Sequence, residues 1–456
     1  MSFNSDFIWG AATSSYQIEG AYKEDGKSLS IWDVMCEKPG AVFDSHTGKI
    51  ACDHYHLYKE DVQLMKDIGL QAYRFSISWP RIFPSGTGKI NSKGMDFYKK
   101  LCDNLLENNI TPFATLFHWD LPYELYTKGG FLNRDSTDWF AEYAATVTKE
   151  LGDRVQHYFT INEPQCIQYL GYGSGEHAPG LKTGLRDLLL IGHHLLLSHG
   201  KAVQAIRANG SSSVQVGWAP TCSGLYPATE KAEDIAATEM AQFDVTTEYN
   251  GTEFNSFGLT YFNDPVYLGK YPDKMFSLFG EYMPKIEQED MKIISQKVDY
   301  HGHNVYNGVA IKSDGKGGYL YCKRDIGYPH TAMNWPVTPE CVRWLPKNIA
   351  KRYGVPIYIT ENGLSNQDWV ALDGKVHDST RIDFLHRYFI QMKKAIEEGT
   401  PIKGYFQWSL LDNFEWSNGY KERFGLIYVD YETQKRTLKD SALWYSDVIK
   451  SNGDTL

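Results

Sequence analysis

No long run of lysine and arginine occurs in this 456-residue chain, and its 46 basic residues are outweighed by 56 acidic ones, for a net charge of −10. Nucleic acid is therefore not an expected partner, and the acidic excess argues mainly for solubility. A stretch of 18 apolar residues is also lacking, so no membrane span is expected. Met1 to Asp6 carry neither the basic start nor the apolar core of a secretion signal, which points to the cytoplasm. The seven cysteines, at 36, 52, 102, 166, 222, 322 and 341, are odd in number, scattered, and free of any C-x-x-C pair. Free thiols in a reducing compartment are the expectation. The glycosylation acceptor patterns at Asn209 and Asn250 then read as chance. No glycine-rich phosphate turn follows the first strand-like run, and Ser85-Gly86-Thr87-Gly88-Lys89 lacks the spacing of a phosphate loop. His54 with His56, and His193 with His194 and His199, do not fit H-E-x-x-H spacing, and His177 and His301 read as rim or core residues. Neither a metal nor a cofactor is expected.

Aromatic residues, by contrast, are plentiful: 31 Tyr, 22 Phe and 12 Trp. Such rings fill cores, and they also suit sites that stack on flat apolar faces while hydrogen-bonding the edges, as sugars require. Eight β-branched or aromatic runs recur along the chain, at 7–12, 72–79, 112–119, 155–162, 214–220, 300–306, 356–360 and 402–410. They are continuous rather than alternating, as strands buried on both faces should be. Helical stripes lie between them. Phe140, Ala144, Val147 and Leu151 follow the third run, with Ser136 as N-cap and Gly152 as stop; Ile382, Leu385, Phe389, Met392 and Ile396 follow the seventh, ended by Gly399. No low-complexity linker divides the sequence. Strand and helix repeated eight times over residues 1–456 predict a single-domain (β/α)8 TIM barrel with extended loops at its C-terminal face. A doubly wound open sheet is the runner-up. Residues 221–298 and 307–355 exceed simple connections and should build the rim; Ser313-Asp314-Gly315-Lys316-Gly317-Gly318 within them signals a hairpin.

The chemistry concentrates at strand ends. Glu163, in Thr160-Ile161-Asn162-Glu163-Pro164, closes the fourth run, and Glu361, in Ile359-Thr360-Glu361-Asn362-Gly363, closes the seventh. In a barrel, such ends face one mouth. A lone strand-end glutamate is more often a surface charge, but two of them converging supply what glycosidic bond cleavage needs: one neutral proton donor and one ionised carboxylate. Gln17, Glu19, Arg74, His118, Trp119, Asn304, Tyr306 and Trp408 occupy comparable positions, and Glu415 and Trp416 follow the last run. Arg74, inside a buried strand, needs a carboxylate partner, for which Glu361 is the candidate. Cys166, near Glu163, reads as a small buried hydrophobe.

Phe7-Ile8-Trp9-Gly10-Ala11-Ala12-Thr13-Ser14-Ser15-Tyr16-Gln17-Ile18-Glu19-Gly20 resembles the N-terminal signature of glycoside hydrolase family 1, the β-glucosidases and their relatives. Tyr73 to Arg81, Asn162-Glu163-Pro164, Thr360-Glu361-Asn362-Gly363 and Asn413-Phe414-Glu415-Trp416 also match, in family order, so that the likeness spans Phe7 to about Ser446. The resemblance implies Glu163 as general acid, then base, and Glu361 as nucleophile. It implies Gln17, His118, Trp119, Asn162, Glu415, Trp416 and Phe424 around the terminal sugar, with Trp408 stacked on that ring. Arg74, Asn304 and Tyr306 would position Glu361 and hold it ionised, and Trp335 would form a platform for the leaving group.

A carboxylate at 415 accepts hydrogen bonds from two neighbouring hydroxyls and repels a 6-phosphate. This argues against the phospho-β-glycosidase branch despite Lys421 and Arg423 nearby. Glu163 in turn argues against the myrosinase branch, which carries an amide there. The expected substrate is an unphosphorylated β-glucoside: cellobiose, a short oligosaccharide, or an aryl or alkyl glucoside, with β-galactosides or β-fucosides as secondary substrates. A sugar-binding protein without activity and a transglycosylase are the alternatives. The oligomeric state is left open, a homo-oligomer included.

Overall fold

The computed structural model describes residues 3–247 and 254–456; the acceptor pattern at Asn250 lies outside them. Eight parallel strands form one sheet: β1 (Ile8–Ala12), β2 (Ala72–Ser76), β3 (Thr111–Phe117), β4 (His157–Asn162), β5 (Gln215–Ala219), β6 (His301–Asn304), β7 (Ile357–Asn362) and β8 (Ile402–Trp408). Each coincides with one of the eight runs. In space the order is β5-β4-β3-β2-β1-β8-β7-β6. The seam between β5 and β6 is drawn together by backbone bonds from Asp299 N to Val216 O, 2.8 Å, and from Asn304 N to Pro220 O, 3.0 Å. The sheet is thus a nearly closed barrel rather than a doubly wound open sheet.

Helices cover the outside: α1 (His54–Ile68), α2 (Ser92–Glu107), α3 (Ser136–Leu151), α4 (Leu185–Asn209), α5 (Leu259–Leu268), α6 (Cys341–Tyr353), α7 (Ser379–Glu397) and α8 (Asp440–Lys450). In α3 the stripe Phe140, Ala144, Val147 and Leu151 is buried, so the 3.6-residue period sets which face meets the sheet. Its N-cap position is Asp135, not Ser136, which is the first helical residue. In α7 the buried face is completed by Phe384, Tyr388 and Ala395, whereas Ile382 and Ile396 lie at its edges, half-buried.

The barrel interior is filled by large rings opposed by residues with little or no side chain. Phe113, Phe159, Tyr358 and Phe406 belong to one buried cluster with Ala72 and Ala219. A Cβ on Gly302 would lie 2.6 Å from the Phe159 ring, and one on Gly10 would lie 2.7 Å from the Phe406 ring. Any side chain at either position would have to displace a packed aromatic.

The long insertions build the rim. Gly224–Pro227 pairs in parallel with Gly308–Ser313, which pairs antiparallel with Tyr319–Tyr321. The expected hairpin turn is there, with the Asp314 carboxylate accepting from the backbone of Lys316 and Gly318 at 2.7 and 2.8 Å. Gly315 and Gly317 supply the positive φ angles, +73° and +91°.

Candidate active site

Both glutamates sit where the strand geometry breaks. The β4–β5 register shifts between Phe159 and Asn162, and the β7–β6 register between Ile359 and Glu361. Such irregularities re-aim the side chains that follow. Glu163 lies just past β4 at φ 44°, with Pro164 starting a short helical turn. Trp119 and Trp416, at φ 79° and 52°, share this left-handed conformation, which is costly for a bulky residue. Left-handed residues also occur elsewhere in the chain, but these three share one place.

That place is a cavity of about 820 Å³ at the C-terminal mouth of the barrel. Glu163, Glu361, Glu415, His118, Tyr306 and Trp335 line it, as do Trp119, Trp408 and Trp416. Gln17, Arg74, Asn162, Asn304 and Phe424 are not among its lining residues; they stand behind those that are.

The support is a buried polar lattice. Arg74 Nη1 donates to Glu361 Oε1 at 2.7 Å, and Nη2 donates to Asn162 Oδ1 at 2.6 Å. Tyr306 Oη donates to Glu361 Oε2 at 2.7 Å. Asn304 Nδ2 donates to Glu163 Oε1 at 2.8 Å and to Asn162 Oδ1 at 3.0 Å. The resemblance assigns Asn304 to Glu361, but its two amide hydrogens go to Glu163 and Asn162, so its direct bond is to the other carboxyl, although it stands close enough to Glu361 to help lower that pKa. Because Asn162 Oδ1 accepts two bonds, its Nδ2 must be the donor to His118 Nε2, 3.1 Å away. His118 is then neutral with its proton on Nδ1, in keeping with a pKa pushed well down by burial and by Arg74. That Nδ1 has no partner within the protein.

Glu163 and Glu361 are 7 % and 3 % exposed, so burial raises both pKa values. Their partners then separate them. Glu361 has a cation and a phenol, which favour its charged form. For Glu163, burial and the repulsion of Glu361 outweigh two neutral donors, Asn304 and Cys166, and the smaller pull of Arg74, and it reaches about 7. Glu361 therefore ionises first, and Glu163 holds its proton into the neutral range.

Gln17 turns its amide Nε2 toward Asn413 Oδ1, 3.0 Å, Phe414 O, 2.9 Å, and Glu415 Oε2, 3.4 Å. Burial and the charges of Glu361, Glu422 and Glu163 push Glu415 up to about 8. The sign of the consequence is fixed. A carboxyl whose folded pKa exceeds its unfolded value destabilises the fold increasingly as pH rises from the unfolded value to the folded one. Glu415→Gln should therefore melt higher than the parent, and the gap should widen from pH 5 to pH 8. Melting curves at both pH values check this, and a constant gap would contradict it.

The aromatic residues form two groups. His118 stacks on Trp408 and Trp416 at ring separations of 5.8 and 5.9 Å. Trp335 packs against Tyr306 at 5.1 Å and Phe424 at 6.0 Å. The Trp119 indole N–H is used on Asn162 O, 3.0 Å, so this ring supports the strand end.

Other candidates lie elsewhere. Glu19 pairs with Arg81 at 2.9 Å and accepts from Tyr98 at 2.5 Å, away from the cavity. His54 bonds Asp61, His193 bonds Asp290, His199 bonds Thr160 and His301 bonds Tyr267. Arg423 is held on Asp412 at 2.7 Å, and half-exposed Lys421 lies near Glu422 at 3.6 Å. Sequence reasoning missed Asn413 and Thr360. Asn413 fixes Gln17, and Thr360 donates to Asn304 Oδ1 at 2.7 Å. Both stand inside the quoted motifs, but short polar side chains give no sign of where they point.

Two carboxyls of unequal proton affinity at the mouth of a (β/α)8 barrel define a glycoside hydrolase. The model for glycosyl hydrolase family 1 matches residues 1–454, and the chain belongs to that family. It is 46 % identical to the 1,4-beta-D-glucan glucohydrolase of Thermotoga neapolitana, over 99 % of both chains. It is 47 % identical to beta-glucosidase A of Acetivibrio thermocellus, again over 99 % of each. Among solved structures, the beta-glucosidase of Thermotoga maritima in complex with glucoimidazole superposes with a TM-score of 0.89 at 45 % identity, covering 99 % of each chain.

Proposed function

We propose that this chain is a retaining β-glucosidase that removes terminal β-D-glucosyl residues from cellobiose, short oligosaccharides and aryl or alkyl glucosides. The observation that carries this reading is the unequal holding of Glu163 and Glu361. Glu361, ionised against Arg74, attacks the anomeric carbon while Glu163 protonates the leaving oxygen. The glycosyl-enzyme that forms has no charge at 361. The repulsion that raised Glu163 then disappears, its pKa falls, and it can take a proton from the attacking water. Cleavage passes through an oxocarbenium-like state beside the Glu361 carboxylate.

His118 Nδ1 supports a donor role toward a sugar hydroxyl, because a buried N–H without a protein partner is costly until a ligand accepts from it. Glu415, with Gln17 behind it, and Trp416 complete the polar contacts, Asn162 holds His118 from behind, and Trp408 offers its face to the ring. Trp335, backed by Tyr306 and Phe424, faces the leaving group. Arg423 is held on Asp412 rather than on Glu415, and Lys421 is a half-exposed side chain beside Glu422, which favours an unphosphorylated sugar. Inhibitor complexes of the Thermotoga maritima relative, with glucoimidazole and deoxynojirimycin, support the glucose reading. β-Galactosides and β-fucosides remain secondary substrates, since one hydroxyl's orientation is a small energetic difference.

The whole chain acts as one catalytic unit in this reading, supported by a single eight-stranded sheet whose strands run from residue 8 to residue 408. The seven free cysteines fit a reducing compartment, the cytoplasm. No helix among the described residues is long and apolar enough to cross a membrane.

A proton NMR time course on an aryl β-D-glucoside tests the mechanism. β-Glucose should appear first, ahead of mutarotation. α-Glucose first would mean that the carboxyls act across a water, and no glucose at all would remove the β-glucosidase reading.

A further inference from the structure

Glu163 has a second contact that the mechanism above does not use. The turn at Pro164–Cys166 folds back so that Cys166 N donates to Glu163 O at 3.0 Å, and the Cys166 thiol comes to rest 3.0 Å from Glu163 Oε2. The thiol lines the same cavity. The two neighbours of the Glu163 carboxyl differ in kind. The Asn304 amide is locked, donating to Asn162 while its own Oδ1 accepts from Thr360, so toward Glu163 Oε1 it can only donate. A thiol is a weak donor whose S–H can rotate away.

We propose that Cys166 is a positioning residue for the acid/base: its S–H donates to Glu163 Oε2 when that side chain is a carboxylate, and turns away when Oε2 carries the proton bound for the glycosidic oxygen. The proposal rests on the reading of Glu163 as acid/base. Proton balance is simple: Glu163 gives its proton to the leaving oxygen and regains one from water, and the thiol keeps its own throughout. Burial and the nearby charges of Glu163, Glu361 and Glu176 hold the thiol well above its ordinary range, so it remains S–H. The other groups acting on the acid/base come from separate elements: Glu361 from β7, Arg74 from β2, Asn304 from β6, Tyr306 just beyond it, and Glu415 after β8. His118 and His177, which also line the cavity, are held neutral by burial. A substitution at 166 leaves all of these in place.

A donor to the charged form lowers a carboxyl pKa, so losing it raises the pKa. The alkaline limb of kcat/KM reports the free enzyme's acid. Cys166→Val, similar in size but without a donor, should move that limb upward by roughly half a unit, the modest shift that fits a weak thiol donor. Cys166→Ser keeps a hydroxyl donor and should leave the limb at or below the parent's position. Cys166→Ala repeats the loss of the donor without added bulk, should the valine not pack. Limbs that stay at the parent's position in the valine and alanine variants, or that move equally in all three, would overturn the proposal. Glu163→Gln separates the two readings. If that variant keeps the alkaline limb, Glu163 is not the titrating acid and the underlying assignment fails. If it loses the limb while Cys166→Val leaves it unmoved, only the thiol's role falls.

Discussion

Glu361→Gly should abolish hydrolysis of every β-glucoside, lowering kcat by about 10⁴-fold or more, the scale seen when a nucleophile is removed from a double-displacement enzyme. The lattice says why nothing replaces it. Arg74 and Tyr306 both converge on that carboxylate at 2.7 Å, but a guanidinium has no free electron pair to offer and burial keeps the Tyr306 phenol protonated, a poor nucleophile. Removing the side chain leaves a space beside a buried guanidinium, which is a site for a small anion. Added azide should therefore restore turnover of an activated aryl glucoside and give the α-glucosyl azide, since azide enters from the face that Glu361 left while Glu163 still protonates the leaving group. Product analysis by NMR checks the anomer. Unchanged turnover in the variant, or a β-azide as product, would remove Glu361 from the nucleophile's position.

Glu163→Ala should divide substrates by the basicity of their leaving groups. Cellobiose and alkyl glucosides need a proton on the departing oxygen, and should lose about 10²- to 10⁴-fold in kcat/KM, the range of general acid catalysis. Dinitrophenyl glucosides leave without that help and should lose much less in kcat/KM. Their kcat should still fall, because the glycosyl-enzyme then waits for water without a base. Azide should relieve that block and yield the β-glucosyl azide, the opposite anomer from the Glu361 variant. A plot of log kcat/KM against leaving-group pKa measures the effect directly. Equal losses across the series would remove the acid role from Glu163. The pKa of about 7 adds a pH signature: activity in the parent should decline as Glu163 loses its proton through the neutral range, and this decline should vanish in the alanine variant.

The sequence alone determined the barrel and the two catalytic candidates. Strand positions were legible because strands buried on both faces read as continuous apolar runs, and helices because their apolar residues recur at the helical period. Glu163 and Glu361 stood out because a charged residue closing such a run has a short list of reasons to be there. Helix edges were less legible: the cap before α3 shifted by one residue, because Asp135 and Ser136 are both good cap types and tertiary packing chose between them.

What the tertiary structure alone decided is which atom each polar side chain serves. Asn304, at the end of β6, turns its amide to Glu163 and Asn162 at the end of β4, and the nearby β6–β7 register shift is invisible in the sequence. Trp119 spends its N–H on the Asn162 backbone, and Glu19 leaves the cavity for Arg81. Cys166, read from sequence as a small hydrophobe, faces Glu163 because a left-handed glutamate and a short turn fold it back. Hydrogen bonds reach only about 3 Å and depend on direction, whereas burial is summed over many atoms and forgives small displacements. A pattern of residue types therefore specifies the scaffold, while the proton affinities of Glu163 and Glu361 are set only when strands distant in sequence bring Arg74, Asn304 and Tyr306 together.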